Sequence, residues 1–222
     1  MKVTDGVYAY PWTNMMENNC NTYVLQGQGG LILVDPGLKR HVPALIEQVR
    51  KDGLNPDDIG FVMVTHAHPD HLDGAAWFMD RPVKMTMHKD EERFLESTGK
   101  EFFRMFGLEQ PSYRIDVYTD EGDFSAAGIA LKVLLTPGHS PGSVCLYWPE
   151  KETLITGDVV FCGSIGRTDF PGGSSPTLKK SIEAIAQLDA AYLLPGHNEI
   201  IEGKAEIKNN FDFIKRAFFS YL

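Results

Sequence analysis

Only three of the 222 residues are cysteine, Cys20, Cys145 and Cys162, and none forms a CxxC pair. That excludes a disulfide framework and a thiolate zinc knuckle, and the three read as reduced thiols. The chain also has no run of eighteen apolar residues, and its opening, MKVTDGVYAY, lacks the basic-then-apolar order of a signal peptide. A cytoplasmic protein with no membrane partner is the expectation. Basic residues are outnumbered: 21 Lys and Arg stand against 30 Asp and Glu, a net charge of -9. Without a basic block there is no broad electrostatic footprint for DNA or RNA, so no nucleic-acid partner is expected.

Repeats, low-complexity tracts and long linkers are absent as well, and residues 1–222 read as a single domain. What the chain does have is core material. It is 43% hydrophobic and 11% aromatic, enough at this length to bury a substantial interior. Short apolar or β-branched runs (VTDGVYAY, NTYVLQ, LILVD, FVMVT, VKMTM, IALKVLLT, SVCLYW, TLIT, AYLL) are bounded by Gly, Pro, Asn and Asp, as strands are. VPALIEQVRKDG, closed by Gly53, and TLKKSIEAIAQL, with Ile182, Ile185 and Leu188 on one face, carry helical periodicity. Further helices are expected from near Pro69, from near Asp90 and over KAEIKNNFDFIKRAFF. Strands interleaved with helices in this order suggest packed sheets with helices on the outer faces.

Histidine is scarce, yet three of the seven fall within THAHPDHLDG, residues 65–74. Four strand-like runs end at a metal-competent side chain: FVMVT at His66 and His68, LKVLLTPG at His139, TLITG at Asp158, and AYLLPG at His197. Strand ends lie on rims where loops converge, so these segments can meet at one site, together with Asp70 and His71. His66 and His68 are two apart, and in an extended segment their rings project to one side and can share an ion. Asp70 and His71 follow Pro69 into a helical first turn, where neighbours diverge and can serve a second ion. The two oxygens of Asp158 could reach both ions.

Taken singly, each residue has a plainer reading. His139 and His197 stand beside Pro-Gly turns, Asp70 could complement a helix N-terminus, and Asp158 could belong to an ordinary turn. The joint pattern HxHxDH is what gives the metal reading its weight. His41 and His88 have no ligand partner nearby in sequence and are left out. Asp73 reads as a helix-face or supporting carboxylate. Asp35, in LVDPG, reads either as an acceptor for a ligand imidazole or as a turn residue.

These residues resemble the metallo-β-lactamase superfamily and, within it, the glyoxalase II-like (hydroxyacylglutathione hydrolase-like) branch. The resemblance runs from NNCNTYVLQ and LILVDPG through THAHPDH, TPGHSPGS, TGDVVF and GSIGRTDFPGG to LLPGHN. It implies an α/β fold, a four-layer αββα sandwich of two mixed β-sheets flanked by helices, with metals at one edge. It also implies that His66, His68 and His139 bind a first divalent metal and that Asp70, His71 and His197 bind a second. Asp158 would bridge them, with Asp70 and Asp158 as the catalytic carboxylates. Zinc is the first expectation for both ions, with iron and manganese as alternatives.

Lactamase-like variants carry a cysteine among their ligands where this chain has Asp158, as thioester hydrolases do; flavodiiron relatives carry a glutamate where it has His68. The implied activity is hydrolysis of a small thioester, with glutathione-linked substrates included, by a hydroxide shared between the metals. A thiol of pKa ~8.5 leaves as thiolate with little acid help, which suits a site whose acids and bases are all ligands. The sequence ends one helix after LLPGHN, whereas glyoxalase II proper continues into a glutathione-binding helical domain. GRTDF, with Arg167, is shared by short hydrolases of this branch and by persulfide dioxygenases; Arg167 could meet a substrate carboxylate or a nearby aspartate. Two alternatives therefore stand: a mononuclear iron persulfide dioxygenase using His66, His139 and Asp158, and a phosphodiesterase or nuclease of the same superfamily.

Overall fold

The structure is a computed structural model that describes residues 1–14 and 16–222. The first sheet takes seven strands in chain order: β1 (Lys2–Thr4), β2 (Val7–Tyr10), β3 (Thr22–Gly27), β4 (Gly30–Val34), β5 (Ile59–Met63), β6 (Lys84–Met87) and β7 (Val117–Tyr118). β1 to β4 pair antiparallel, with two-residue turns joining β1 to β2 and β3 to β4 and the longer segment 11–21 joining β2 to β3, and β4 to β7 pair parallel. Parallel pairs need crossovers, and helices supply them. α1 (Val42–Lys51) links β4 to β5. The single turn α2 (Pro69–Leu72) with a following 3₁₀ segment links β5 to β6. α3 (Lys89–Phe94), a π-helical turn and α4 (Lys100–Met105) link β6 to β7.

The second sheet contains β8 (Gly122–Ala126), β9 (Ile129–Leu135), β10 (Val144–Trp148) and β11 (Thr153–Gly157). A two-stranded ribbon follows, β12 (Val160–Phe161) and β13 (Ser164–Ile165), before α5 (Ser175–Ile185) crosses over to β14 (Tyr192–Pro195). β15 (Ile201–Glu202) and α6 (Lys204–Phe218) complete the order, and the sheet runs β15-β14-β11-β10-β9-β8 with only β11 and β14 parallel.

Three buried clusters separate the layers, and strand periodicity creates them. On β4, Leu31 and Leu33 face α1 to α4, whereas Ile32 and Val34 face the other sheet. On β10, Val144 and Leu146 face the first sheet, whereas Cys145 and Tyr147 face α5 and α6. Strands apolar on both faces cannot tolerate solvent on either, so helices must cover each outer side. The result is the αββα arrangement of two mixed sheets.

All nine strand-like runs of the sequence lie in the sheets, with one division. VTDGVYAY is two strands, because Asp5 and Gly6 turn the chain and Gly6 takes φ +78. Leu188 lies past the end of α5 but still packs on its cluster. The helix starting at Pro69 lasts one turn, and the one near Asp90 begins at Lys89 with His88 as its cap. β8, α4 and the β12–β13 ribbon had no distinct signal in the sequence. Among the described residues no disulfide forms: Cys20 and Cys145 are buried thiols and Cys162 is exposed. Among the described residues no helix is long and apolar enough to cross a membrane.

Candidate metal centre

β5, β9, β11 and β14 point their C-terminal ends to one edge of the sandwich. The segments beyond them carry His66 and His68, His139, Asp158 and His197, while α2 presents Asp70 and His71. Three donor groups form there. One ligand atom each from His66, His68 and His139 lie within 4.8 Å of one another; so do those of His66, His71 and Asp158, and those of Asp70, His71 and His197. All seven residues singled out from the sequence are thus brought together.

Asp158 stands where the groups meet. Its Oδ1 is 3.2 Å from His71 Nε2, and its Oδ2 is 3.4 Å from His197 Nε2, 3.5 Å from His139 Nε2 and 4.0 Å from His66 Nε2. Asp70 Oδ2 lies 3.2 Å from His197 Nε2 and accepts a hydrogen bond from Asn18 Nδ2 at 2.9 Å.

Outer hydrogen bonds aim the rings. His139 Nδ1 donates to the carbonyl of Arg167 at 2.7 Å, so its Nε2 keeps a free lone pair. Thr65 Oγ1 donates to Asp35 Oδ2 at 2.7 Å, which leaves its oxygen to accept from His66 Nδ1 at 3.1 Å. His71 Nδ1 faces Asp35 Oδ2 at 2.9 Å, and the Thr65 amide donates to Asp35 Oδ1 at 2.7 Å. The ring of His68 lies against Phe102, centroids 4.8 Å apart.

Burial and neighbouring imidazoles hold His66 and His68 well below the ordinary imidazole pKa, and burial lowers His139 too. These three are neutral, the state a metal ligand requires. Burial opposes charge on His71 and His197 as well, but the acidic groups around them prevail. Cys20, Asp158 and Asp35 raise His71 well above its usual value, and Asp158 with Asp70 raises His197 to about 10. Burial works against ionisation of Asp70 and Asp158, yet the facing imidazoles bring Asp70 down to about 2 and Asp158 well below the carboxylate range.

Nε2 of His66, His68, His71 and His139 and Oδ1 of Asp158 are all buried without a hydrogen-bond partner. A buried unpaired polar atom costs about 1–3 kcal/mol, so native proteins carry few. Five gathered among the adjoining donor groups fit cations that take up their lone pairs. Imidazole and carboxylate donors without thiolate suit zinc, iron or manganese.

A cavity of about 1000 Å³ opens over this point, its walls including Trp12, Phe106, Phe161 and Phe170. Arg167 reaches this cavity, but its guanidinium is bound to Asp169 through two hydrogen bonds of 2.7 and 2.6 Å and lies 3.8 Å over the Phe170 ring. Asp73 stands apart from the donors and accepts from the Lys39 amide at 2.7 Å. His41 packs at a tilt against Trp12 and pairs with Glu17, and His88 caps α3, so neither joins the centre. Asn18 and Thr65 carry no sequence signal of their roles: Asn18 lies in a polar loop, and Thr65 looks like the last residue of a strand.

Residues 15–197 match the Metallo-beta-lactamase superfamily. The chain is 34% identical over 188 residues to a probable metallo-hydrolase, YqgX, of Bacillus subtilis (strain 168), covering 82% of this chain and 83% of that protein. It is 31% identical over 194 residues to the hydroxyacylglutathione hydrolase GloC of Haemophilus influenzae, covering 83% of each. Among solved structures, TTHA1623 in a di-iron-bound form superposes with a TM-score of 0.75 at 26% identity, covering 94% of this chain and 97% of that one. With fold, donor cluster and relatives in agreement, the chain belongs to the metallo-beta-lactamase superfamily, and its chemistry is that of a metallo-hydrolase.

Proposed function

We propose that the protein is a binuclear metallohydrolase that cleaves a small thioester, with hydroxyacylglutathione as the first substrate to try. The observation that carries this reading is the meeting of two donor groups at Asp158, each with its own residues: His66, His68 and His139 on one side, Asp70, His71 and His197 on the other. These would hold two divalent ions, zinc in the first instance. Bound there, the ions would supply Lewis acidity, lowering the pKa of water and polarising a carbonyl. The di-iron form of TTHA1623 supports a two-ion reading, and the likeness to GloC supports the thioester.

The chain's own residues do the rest. Asp70 and Asp158 supply negative charge at the reacting edge, and Asn18 fixes the carboxylate of Asp70. Outer partners spend the Nδ1 atoms of His66, His71 and His139, so those rings are not free to shuttle protons. A thiolate leaving group, of pKa ~8.5, needs no such shuttle, which favours a thioester over an alkyl ester or amide. Trp12, Phe106, Phe161 and Phe170 give the cavity apolar wall against which part of a substrate can pack. Unpaired thiols fit a reducing, cytoplasmic setting in which glutathione conjugates occur.

The test is an element-resolved metal count on the purified protein, joined to assays of thiol release from a hydroxyacylglutathione, of oxygen uptake and of phosphodiester cleavage. Two ions per chain with thiol release is the expected result. One iron per chain with oxygen consumption on a persulfide, or preferential phosphodiester turnover, overturns the proposal.

A further inference from the structure

We propose that Glu91 is a positioning residue that sets the geometry of the His66, His68 and His139 group and thereby its affinity for one metal ion; this rests on the two-ion reading above. Glu91 lies on α3, outside every donor group, and is fully buried. Its Oε2 accepts from the Ala67 amide at 2.6 Å. Its Oε1 accepts from Ser140 Oγ and from the Gly142 amide, each at 2.6 Å. Ala67 is the residue between His66 and His68, and Ser140 directly follows His139. One carboxylate thus joins a ligand loop from the first sheet to a ligand loop from the second.

The loop after His139 is shaped for this contact. A Cβ on Gly142 would come within 2.8 Å of the Glu91 amide nitrogen and 3.1 Å of its Cγ, so only glycine brings that N–H to the carboxylate. Ser143 Oγ lies 2.5 Å from Ser140 Oγ, and its hydroxyl donates there once Ser140 gives its own proton to Glu91. All three partners of Glu91 are neutral donors. Burying a carboxylate in such company is costly, and docking α3 alone could be done by an apolar side chain. What only an acceptor with two oxygens can do is hold both loops at once.

Asp35 plays the matching part elsewhere, bonding Thr65 and His71. The two buried carboxylates therefore support the centre differently: Glu91 bonds only the loops of the His66, His68 and His139 group, whereas Asp35 bonds His71 directly and reaches His66 through Thr65. Partners outside the ligand sphere ordinarily change metal affinity about 10–100-fold.

The test is a cobalt(II) titration of the chelated full-length protein, followed by visible absorption and by chelator competition, in the wild type and Glu91→Gln. Glutamine keeps the volume and the bonds to Ser140 and Gly142 but sets an amide NH₂ against the Ala67 N–H. The expected result is a two-step isotherm in which one step weakens about 10–100-fold and its absorption band changes. The other step should stay in place, with the melting temperature of the metal-free protein close to wild type.

Unchanged steps in a folded Glu91→Gln protein overturn the inference while leaving the two-ion reading intact. Equal weakening of both steps, accompanied by a large drop in the metal-free melting temperature, overturns it in favour of a purely structural role. A wild type that binds fewer than two ions removes the underlying reading and the inference with it. Should Glu91→Gln fail to fold, Ser140→Ala removes one of the three donors and decides the matter. Several-fold weakening of one step supports the inference, and an unchanged isotherm overturns it.

Discussion

His71 Nδ1 lies 2.9 Å from Asp35 Oδ2, both buried, and the same carboxylate bonds the amide and hydroxyl of Thr65. Asp35 thereby orients a candidate ligand ring directly and steadies the strand end that leads to His66. Asp35→Asn should keep the fold, since Asn tolerates the left-handed backbone found there, φ +53. Its NH₂ group replaces the oxygen facing His71, however, and cannot accept the imidazole proton. Metal affinity should fall about 10–100-fold, the loss concentrated in the ion held by Asp70, His71 and His197. Chelator competition on the purified variant measures it, and wild-type affinity in both steps would refute the assignment.

Histidine substitutions separate ligands from bystanders. His68 offers a buried Nε2 with no other partner, so His68→Ala should lower metal content and thioester turnover together. His88 instead accepts the Asp90 amide at 3.2 Å as the cap of α3. His88→Ala should therefore retain its metal and lose about 1 kcal/mol of stability, the ordinary worth of a lost N-cap. Elemental analysis and denaturant melts of the two variants check this. Full occupancy in His68→Ala would remove it from the ligand set.

Arg167 reaches the cavity with its charge already committed to Asp169 and its plane resting on Phe170. Its backbone carbonyl, which holds His139, survives any side-chain change. Arg167→Gln should then raise KM by a similar factor of a few for a carboxylate-bearing thioester and for a neutral one, with kcat little altered. Steady-state kinetics on a hydroxyacylglutathione and on an uncharged thioester make the comparison. A KM increase of more than about tenfold confined to the glutathione substrate would show that the guanidinium leaves Asp169 to bind it.

The layers and the clustering of the seven candidate donors were legible because their signals are local. Period-two burial on β4 and β10 and metal-competent residues at strand ends survive without knowledge of tertiary contacts. Roles that depend on distant partners were not legible. Glu91 stands in the run KDEER, which reads as a solvated helix face, and only the approach of Ala67, Ser140 and Gly142 makes it an interior residue. Asp35 left two readings open because the ring it faces is 36 positions away. β8, GDFSA, alternates too weakly to declare itself and is held by its pairing with β9.

Gly196, in LLPGHN, gives the most direct test of how tightly the centre is built. A Cβ there would stand 2.1 Å from Asp158 Oδ1 and 2.8 Å from His71 Cε1. The Asp158 carboxylate cannot simply swing aside, because the His66, His71, His139 and His197 rings lie around it. Gly196→Ala must therefore displace the group on which both donor sets converge. A misplacement of about 1 Å costs on the order of 10²-fold in rate, so turnover should fall by that order and metal content should drop. Gly60→Ala is the control, since its Cβ would meet nothing within 4 Å. It should match the wild type in metal count and rate. Wild-type activity in Gly196→Ala would mean that Asp158 is free to move, and the idea of a rigid shared carboxylate would fail.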